Sequence, residues 1–157
     1  MEMTAQRLDL PDAYGTATRT LAWADVAGRL ERAMHYWIAT TRTDGRPHAV
    51  PKDGLWLDDA LFFGGAPDTV NNRNLVADGR LSVHLGDAQE VVILEGIAAV
   101  VRADPDLAER LVTASRAKYG YAPPPETYAG GVWRMVPQRV LAWTAFPTDA
   151  TRFVSDR

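Results

Sequence analysis

The side chains that could do chemistry unaided are few, and their spacing allows little. His35, His48 and His84 form neither an HExxH pair nor any close couple, so a histidine metal site is not expected. His84 lies in an apolar stretch and reads as a satisfied core or interface histidine. The chain has no cysteine, which removes disulfides, thiolate metal sites and cysteine nucleophiles together. Ser82 and Ser115 carry no local sign of activation, and no GxSxG elbow, phosphate-binding P-loop or GxGxxG fingerprint is present. If the chain is an enzyme, a bound cofactor has to carry the difficult chemistry while the protein orients and shields it. No side chain is therefore assigned as catalytic. A late group of rings, Tyr119, Tyr121, Tyr128, Trp133 and Trp143, offers flat surfaces with one polar edge, suited to a substrate wall or to core packing. Core packing is the natural reading of the two tryptophans, and Tyr121, beside a proline loop, is the candidate for a substrate-facing or lid position.

The composition sets the frame for these residues. The chain has 157 residues, enough for one ordinary domain that removes roughly two thirds of its unfolded surface from water. Hydrophobic residues make up 46% and charged residues 24%, a globular balance. Lys and Arg number 17 against 20 Asp and Glu, a net charge of -3, which does not suit a dedicated nucleic-acid binder. No basic start followed by an apolar run opens the chain, and no apolar run approaches the ~20 residues a membrane helix needs. Together with the missing cysteines, this fits a reducing, cytoplasmic setting.

The elements that must position any site follow from periodicity and turn chemistry. Residues 1–18 show no clear period and read as an N-terminal arm, leaving 19–157 as a single domain. Leu21, Val26, Leu30 and Met34 recur at helical spacing over 20–34. Residues 35–42 are rich in aromatic and β-branched types, and Asp44-Gly45 predicts a hairpin into an extended stretch over 46–57. Pro47 and Pro51 in that stretch cannot donate ladder hydrogen bonds, which suggests an edge, a bulge or a strand margin facing a ligand. Asp58-Asp59 predicts a second hairpin into 60–63, which Gly64-Gly65 ends. A helix over 67–76 opens with Pro67, and Asp78-Gly79 leads to a strand over 81–85. The apolar run from Val91 to Val101 reads as a core strand bent near Gly96. Asp104 and Pro105 open a helix ending near Lys118. Ala122 to Pro125 forms a loop, and 133–136 and 139–143 are closing strands separated by Pro137. Five or six antiparallel strands with a few short helices predict an α+β domain built around a barrel.

Several segments carry a resemblance to a known family: YWIATTRTDGRPHAVP, LFFGG, RNLVADGRLSVHL, EVVILEGIA and WRMVPQRVLAW. In this order and spacing they resemble the pyridoxamine 5'-phosphate oxidase-like split barrels, the flavin and deazaflavin oxidoreductase superfamily, across most of residues 21–146. The resemblance implies a mostly antiparallel six-stranded split β-barrel with a few short flanking helices. It also implies a homodimer binding FMN or a deazaflavin of the F-420 type at the subunit interface. A planar ring needs apolar walls and, along its pyrimidine edge, backbone donors and acceptors. His48, Val50, Pro51 and Lys52 are the positions the resemblance places along that ring, with Phe63, Gly64 and Gly65 on the neighbouring strand. Taken alone, His48 and Lys52 read equally as exposed strand decoration.

Both cofactors carry a phosphate, and the family presents basic residues on the segment after the third strand, where a helix N-terminus can add its N–H groups. Asn71 stands where a lysine is common in relatives, and Arg73 keeps the second basic position. Thr69, Asn71, Asn72 and Arg73, with Lys52 reaching from the sheet, form the expected phosphate site; Asp68 is expected to cap the helix. Without the resemblance, the segment reads as a solvated polar helix. The leading expectation is a cytoplasmic oxidoreductase acting on a small organic molecule. The basic and C-terminal substrate residues of the pyridoxamine phosphate oxidases themselves have no match here. The alternatives are a non-catalytic flavin, deazaflavin or haem carrier or sensor on the same fold, and a barrel whose ligand is not a flavin.

Overall fold

Alternation along the second strand sets the inside of the molecule. In the computed structural model, which describes residues 3–155, Tyr36–Thr41 forms a strand that turns Tyr36, Ile38 and Thr40 inward and leaves Trp37 and Thr41 exposed. In chain order the elements are β1 (Met3–Arg7), α1 (Trp23–Arg32), β2 (Tyr36–Thr41), β3 (Pro47–Lys52), β4 (Leu55–Leu57), β5 (Ala60–Phe63), α2 (Val70–Ala77), β6 (Arg80–His84), β7 (Val91–Val101), α3 (Pro105–Tyr119), α4 (Pro125–Gly130), β8 (Val132–Trp143) and β9 (Thr151–Ser155). The sheet runs β1-β9-β8-β7-β6-β2-β3, and every pairing is antiparallel. On the edge of β8 away from β7, β9 pairs with Arg139–Ala142 and β5 with Trp133–Met135; β4 follows β5. Although consecutive in the chain, β3 and β4 are not paired, so the sheet is curled but open. The architecture is an α+β split barrel.

Both predicted hairpins form. Gly45 has φ 85°, and Asp44 accepts from the Arg46 N–H; Asp58 and Asp59 both take positive φ, 51° and 54°, as a two-residue hairpin requires. Pro47 and Pro51 are tolerated because β3 is an edge strand paired only with β2. The expected bend near Gly96 is a β-bulge between Glu95 and Gly96. A Cβ on Gly96 would lie 2.4 Å from the Val136 carbonyl oxygen, so the closeness of β7 and β8 at that point requires glycine.

The core lies inside the curl. Val26 and Leu30 of α1 are fully buried against Tyr36, Ile38, Leu61, Met135 and Phe153, each worth about 1.5–3 kcal/mol of burial. Asp25 in the first turn of α1 and Arg29 and Arg32 in its last turn suit the helix dipole. A second, smaller cluster joins Leu55, Ala60 and Phe62 to Ala108 and Leu111 of α3. Asp104 caps α3 by accepting from the Leu107 N–H, and Gly120 closes it in the left-handed conformation.

Several expectations need correction. Nine strands are present among the described residues rather than six. Met3–Arg7, within the stretch read as an arm, pairs residue by residue with β9, a strand that sequence periodicity did not reveal; residues 1 and 2 lie outside the described residues. The extended stretch over 46–57 breaks at Asp53-Gly54 into β3 and β4. The two closing strands are one, since Pro137 faces Gly96 at the bulge and interrupts nothing. The proline loop runs into α4, with Pro125 in its first turn. No helix among the described residues is long and apolar enough to cross a membrane.

Candidate functional site

Residues opposite each other in an antiparallel pair share a face. Thr40 pairs with His48, Ile38 with Val50 and Tyr36 with Lys52, so His48, Val50 and Lys52 all point to the inner face of the curl. Because β3 is the edge, these side chains are only half-buried, and α2 packs across β2 and β3 beside them. Pro51 points to the opposite face with Trp37. His48 has no hydrogen-bond partner among the described residues.

Lys52 ties the edge strand to the segment after β5. Its Nζ donates to the Gly64 carbonyl oxygen at 2.7 Å, and burial pulls its pKa below the usual lysine value. The amine packs so closely on Gly65 that a Cβ there would lie 2.3 Å from Nζ. One of its three protons is used by Gly64; the other two have no partner among the described residues. Thr69 occupies the N-cap position of α2, but its hydroxyl donates back to the Ala66 carbonyl at 2.8 Å, leaving the first N–H groups of α2 without a side-chain cap. The expected cap by Asp68 does not form, because α2 begins one residue beyond Thr69 and Asp68 is exposed outside it.

The three asparagines of α2 are buried, each differently. Asn72 Oδ1 accepts from the Trp133 indole N–H at 2.7 Å, while Asn74 donates to the Thr40 hydroxyl at 2.9 Å. Asn71 Nδ2 is buried with no partner, a donor in want of an acceptor. Arg73 is exposed on the same turn and has no ion pair among the described residues. Trp133 also stacks on Phe63, centroids 6.4 Å apart and planes 15° from parallel, which fixes the strand end that carries Gly64 and Gly65. The core role expected for Trp133 thus includes support of this segment.

On the other side of Phe63 and Gly64 lies a cavity of about 380 Å³ between β4–β5 and α3–α4. Phe62, Phe63, Tyr119, Tyr121 and Tyr128 line it, and Asp53 and Gly54 stand at its edge. Burial raises the phenol pKa of both Tyr119 and Tyr128. Behind the cavity, Lys118 Nζ reaches Ala33 O, Tyr36 Oη and Gly54 O at 2.9–3.2 Å. Burial lowers its pKa to about 8.

Of the residues singled out by sequence, the structure gathers Lys52, Gly64, Gly65 and Asn72 around one point, with Thr69, Asn71 and Arg73 on the adjoining turn. Val50 and His48 continue the same face along β3, and Phe63 and Gly64 also line the cavity. Pro51 stands apart on the outer face. Sequence reasoning anticipated the cavity tyrosines in part and missed Asp53, Gly54 and Phe62; the break after Lys52, where Asp53-Gly54 turns the chain, was the available signal. No group of three or more His, Cys, Asp or Glu residues that could hold a metal ion occurs among the described residues.

The face meets the needs of a phosphorylated planar cofactor on its own observations: a buried orphan amide, an uncapped helix N-terminus, two cations, and a glycine loop against which a ring edge can approach. Solved structures share the fold. The conserved hypothetical protein Rv2991 from Mycobacterium tuberculosis matches at 21% identity and TM-score 0.66, covering 81% of this chain and 87% of its own. An F420 reductase matches at 22% identity and TM-score 0.56, over 72% of this chain and 93% of its own. A heme binding protein from Mycobacterium smegmatis matches at 20% identity and TM-score 0.63, over 88% of this chain and 60% of its own. At these identities the likeness establishes the fold alone. No curated protein matches the sequence. The family model described as pyridoxamine 5'-phosphate oxidase matches residues 23–144, and the chain belongs to that family.

Proposed function

We propose that this chain is an oxidoreductase that holds a deazaflavin of the F-420 type or FMN at a homodimer interface and exchanges hydride with a small organic molecule. The observation that carries the reading is the Lys52 cradle. A half-buried ammonium spends one proton on Gly64 O and packs on Gly65, at the start of the segment that leads to an uncapped helix N-terminus and an orphaned Asn71 amide. Lys52, Thr69, Asn71, Asn72 and Arg73 would hold the phosphate, with Arg73 supplying the second charge. His48, Val50 and Phe63 would flank the ring, while Gly64 and Gly65 offer backbone groups to its polar edge. When bound, the cofactor supplies two-electron hydride transfer, and FMN also supports one-electron chemistry. The residues of this chain bind, orient and exclude water; none is required as an acid or base. A partner subunit would cover the outer sheet face, where Trp37, 38% exposed, stacks on His84. A cytoplasmic setting is supported by the absence of cysteine.

A non-catalytic carrier or sensor of a flavin, deazaflavin or haem is the second reading. It is favoured by His48, a histidine without a partner on the same face as Lys52, which could serve as an axial ligand. The absorption spectrum of the purified protein, with FMN, deazaflavin and haem titrations, separates the two. Bands of bound FMN, or quenching of deazaflavin fluorescence, are expected; failure to bind either sinks the leading proposal. Arg73→Ala should weaken cofactor binding with the fold intact, and unchanged affinity refutes its phosphate role. Sizing chromatography should give a dimer, and a monomer that binds cofactor contradicts the interface placement.

A further inference from the structure

We infer that the cavity between β4–β5 and α3–α4 is a binding site for a small organic amine, which inserts an apolar or aromatic body and leaves its protonated nitrogen at the mouth beside Asp53. The walls are rings: Phe62, Phe63, Tyr119, Tyr121 and Tyr128 enclose about 380 Å³, the scale of a small-molecule site. Their polar atoms are largely committed to the protein. The Tyr119 hydroxyl donates to Gly54 O or Met34 O and accepts from the Gly54 N–H, all at 2.9 Å. Ser115 Oγ donates to Tyr121 O at 2.8 Å. An inserted body that forms no hydrogen bonds therefore leaves these groups satisfied.

Charge selects the other end of the ligand. Asp53 is the only lining residue with a formal charge at neutral pH. Its carboxylate is 52% exposed, and its two contacts are long: His35 Nε2 at 3.5 Å and the Tyr121 hydroxyl at 3.4 Å. It keeps acceptor capacity for an ammonium, which would also meet the face of an exposed tyrosine, Tyr121, at the rim. Lys118 shows why the charge should stop at the mouth: with three oxygen partners, its amine behind the cavity still has its protonated form disfavoured by burial. A carboxylate ligand would meet Asp53 with like charge. That this amine is the molecule presented to a cofactor ring across Phe63 and Gly64 rests on the function proposed above; its binding in the cavity does not.

The test compares three probes of one shape on the intact chain at pH 7: 2-naphthylmethylamine, 2-naphthalenemethanol and 2-naphthoate. Affinities come from calorimetry, and amide NMR shifts at Gly54 and Gly131 locate the binding. The amine should bind at least threefold tighter than the alcohol and at least tenfold tighter than the carboxylate. Asp53→Asn should bring amine and alcohol to within twofold of each other, and Tyr121→Ala should weaken the amine at least threefold. The inference is overturned if the alcohol matches the amine on the wild-type chain, if Asp53→Asn leaves their ratio unchanged, or if no probe shifts the cavity amides. A parallel FMN and deazaflavin titration keeps the two readings apart: amine binding without cofactor binding sinks the oxidoreductase proposal and upholds this one.

Discussion

Replacing Lys52 by methionine isolates the cradle from the fold. Methionine keeps most of the length and apolar stem of lysine and removes the ammonium. Within the free protein the amine makes one hydrogen bond, 2.7 Å to Gly64 O, a carbonyl on an exposed residue that water can serve instead. Losing it costs about 0.5–1.5 kcal/mol, and the relief of a desolvated charge, visible in the lowered lysine pKa, offsets part of that. A net change near 0.5 kcal/mol corresponds to about 1–2 °C in a domain of this size. Toward a phosphorylated ring cofactor the same change deletes a charge-assisted bond of about 1.5–3 kcal/mol, or roughly ten- to a hundredfold in Kd. Thermal melts and cofactor titrations, run on the same preparations, give both numbers. A variant that melts normally and binds the cofactor as tightly as the wild-type chain refutes the cradle. A variant that fails to fold shows instead that Lys52 is structural, and the neutral Lys52→Gln must then be compared in its place.

Gly65→Ala should mimic Lys52→Met, because at φ 155° the new Cβ would strain the backbone and lie 2.3 Å from Nζ, displacing the amine; a Gly65→Ala variant that binds cofactor as tightly as the wild-type chain would count against the close approach. Lys118 titrates near pH 8 when folded against 10.5 for an ordinary lysine, so the unfolded chain binds more protons between those values and stability should rise with pH from about 8. Buried Tyr36, with its pKa raised above 10, works in the opposite direction above pH 10, where the unfolded tyrosine ionises first. Urea midpoints measured from pH 7 to 10 should therefore climb in the wild-type chain and flatten in Lys118→Met; parallel slopes would exclude Lys118 as the cause. Asp149 is held at about 2: burial raises its pKa, but the Thr144 hydroxyl, the Ala145 and Thr144 N–H groups and Arg19 outweigh it. Its contribution is complete above the ordinary carboxyl value of 3.8 and lost as pH falls toward 2. Asp149→Asn should cost about 2 kcal/mol at neutral pH, read by urea denaturation, and a cost near zero would refute the assignment.

Local chemistry was legible wherever one residue type decides a conformation. The Asp-Gly and Asp-Asp hairpins, the Asp104 cap and the Gly96 bend could be read directly, since each rests on a positive φ, a side-chain acceptor or a close approach. Partnership across the chain was not. Nothing in Met3–Arg7 announces that it lies beside Thr151–Ser155, because an edge strand of mixed polar residues has no periodicity to display and its partner is far along the chain. Pro137 misled for the related reason that a proline breaks a strand only where a ladder N–H is needed, which is not so at the bulge. At the site, the residue types of 71–73 were readable, but their burial was not. Asn72 and Asn74 turned out to be anchored to Trp133 and Thr40, and only the fold distinguishes them from Asn71, whose amide is left unpaired.

The long strand β8 serves two neighbours on one edge, β5 along Trp133–Met135 and β9 along Arg139–Ala142, with Pro137 in the unshared gap between them. That division gives the two halves of β8 different neighbours along one edge. The portion next to β5 supports Phe63 and the glycine loop, while the portion next to β9 carries the pairing of β1 with β9. Because β7 runs unbroken beside both portions, a disturbance introduced at the β1–β9 margin reaches the β5 portion along β7 and β8, past the bulge where Gly96 lies tight against Val136 and Pro137.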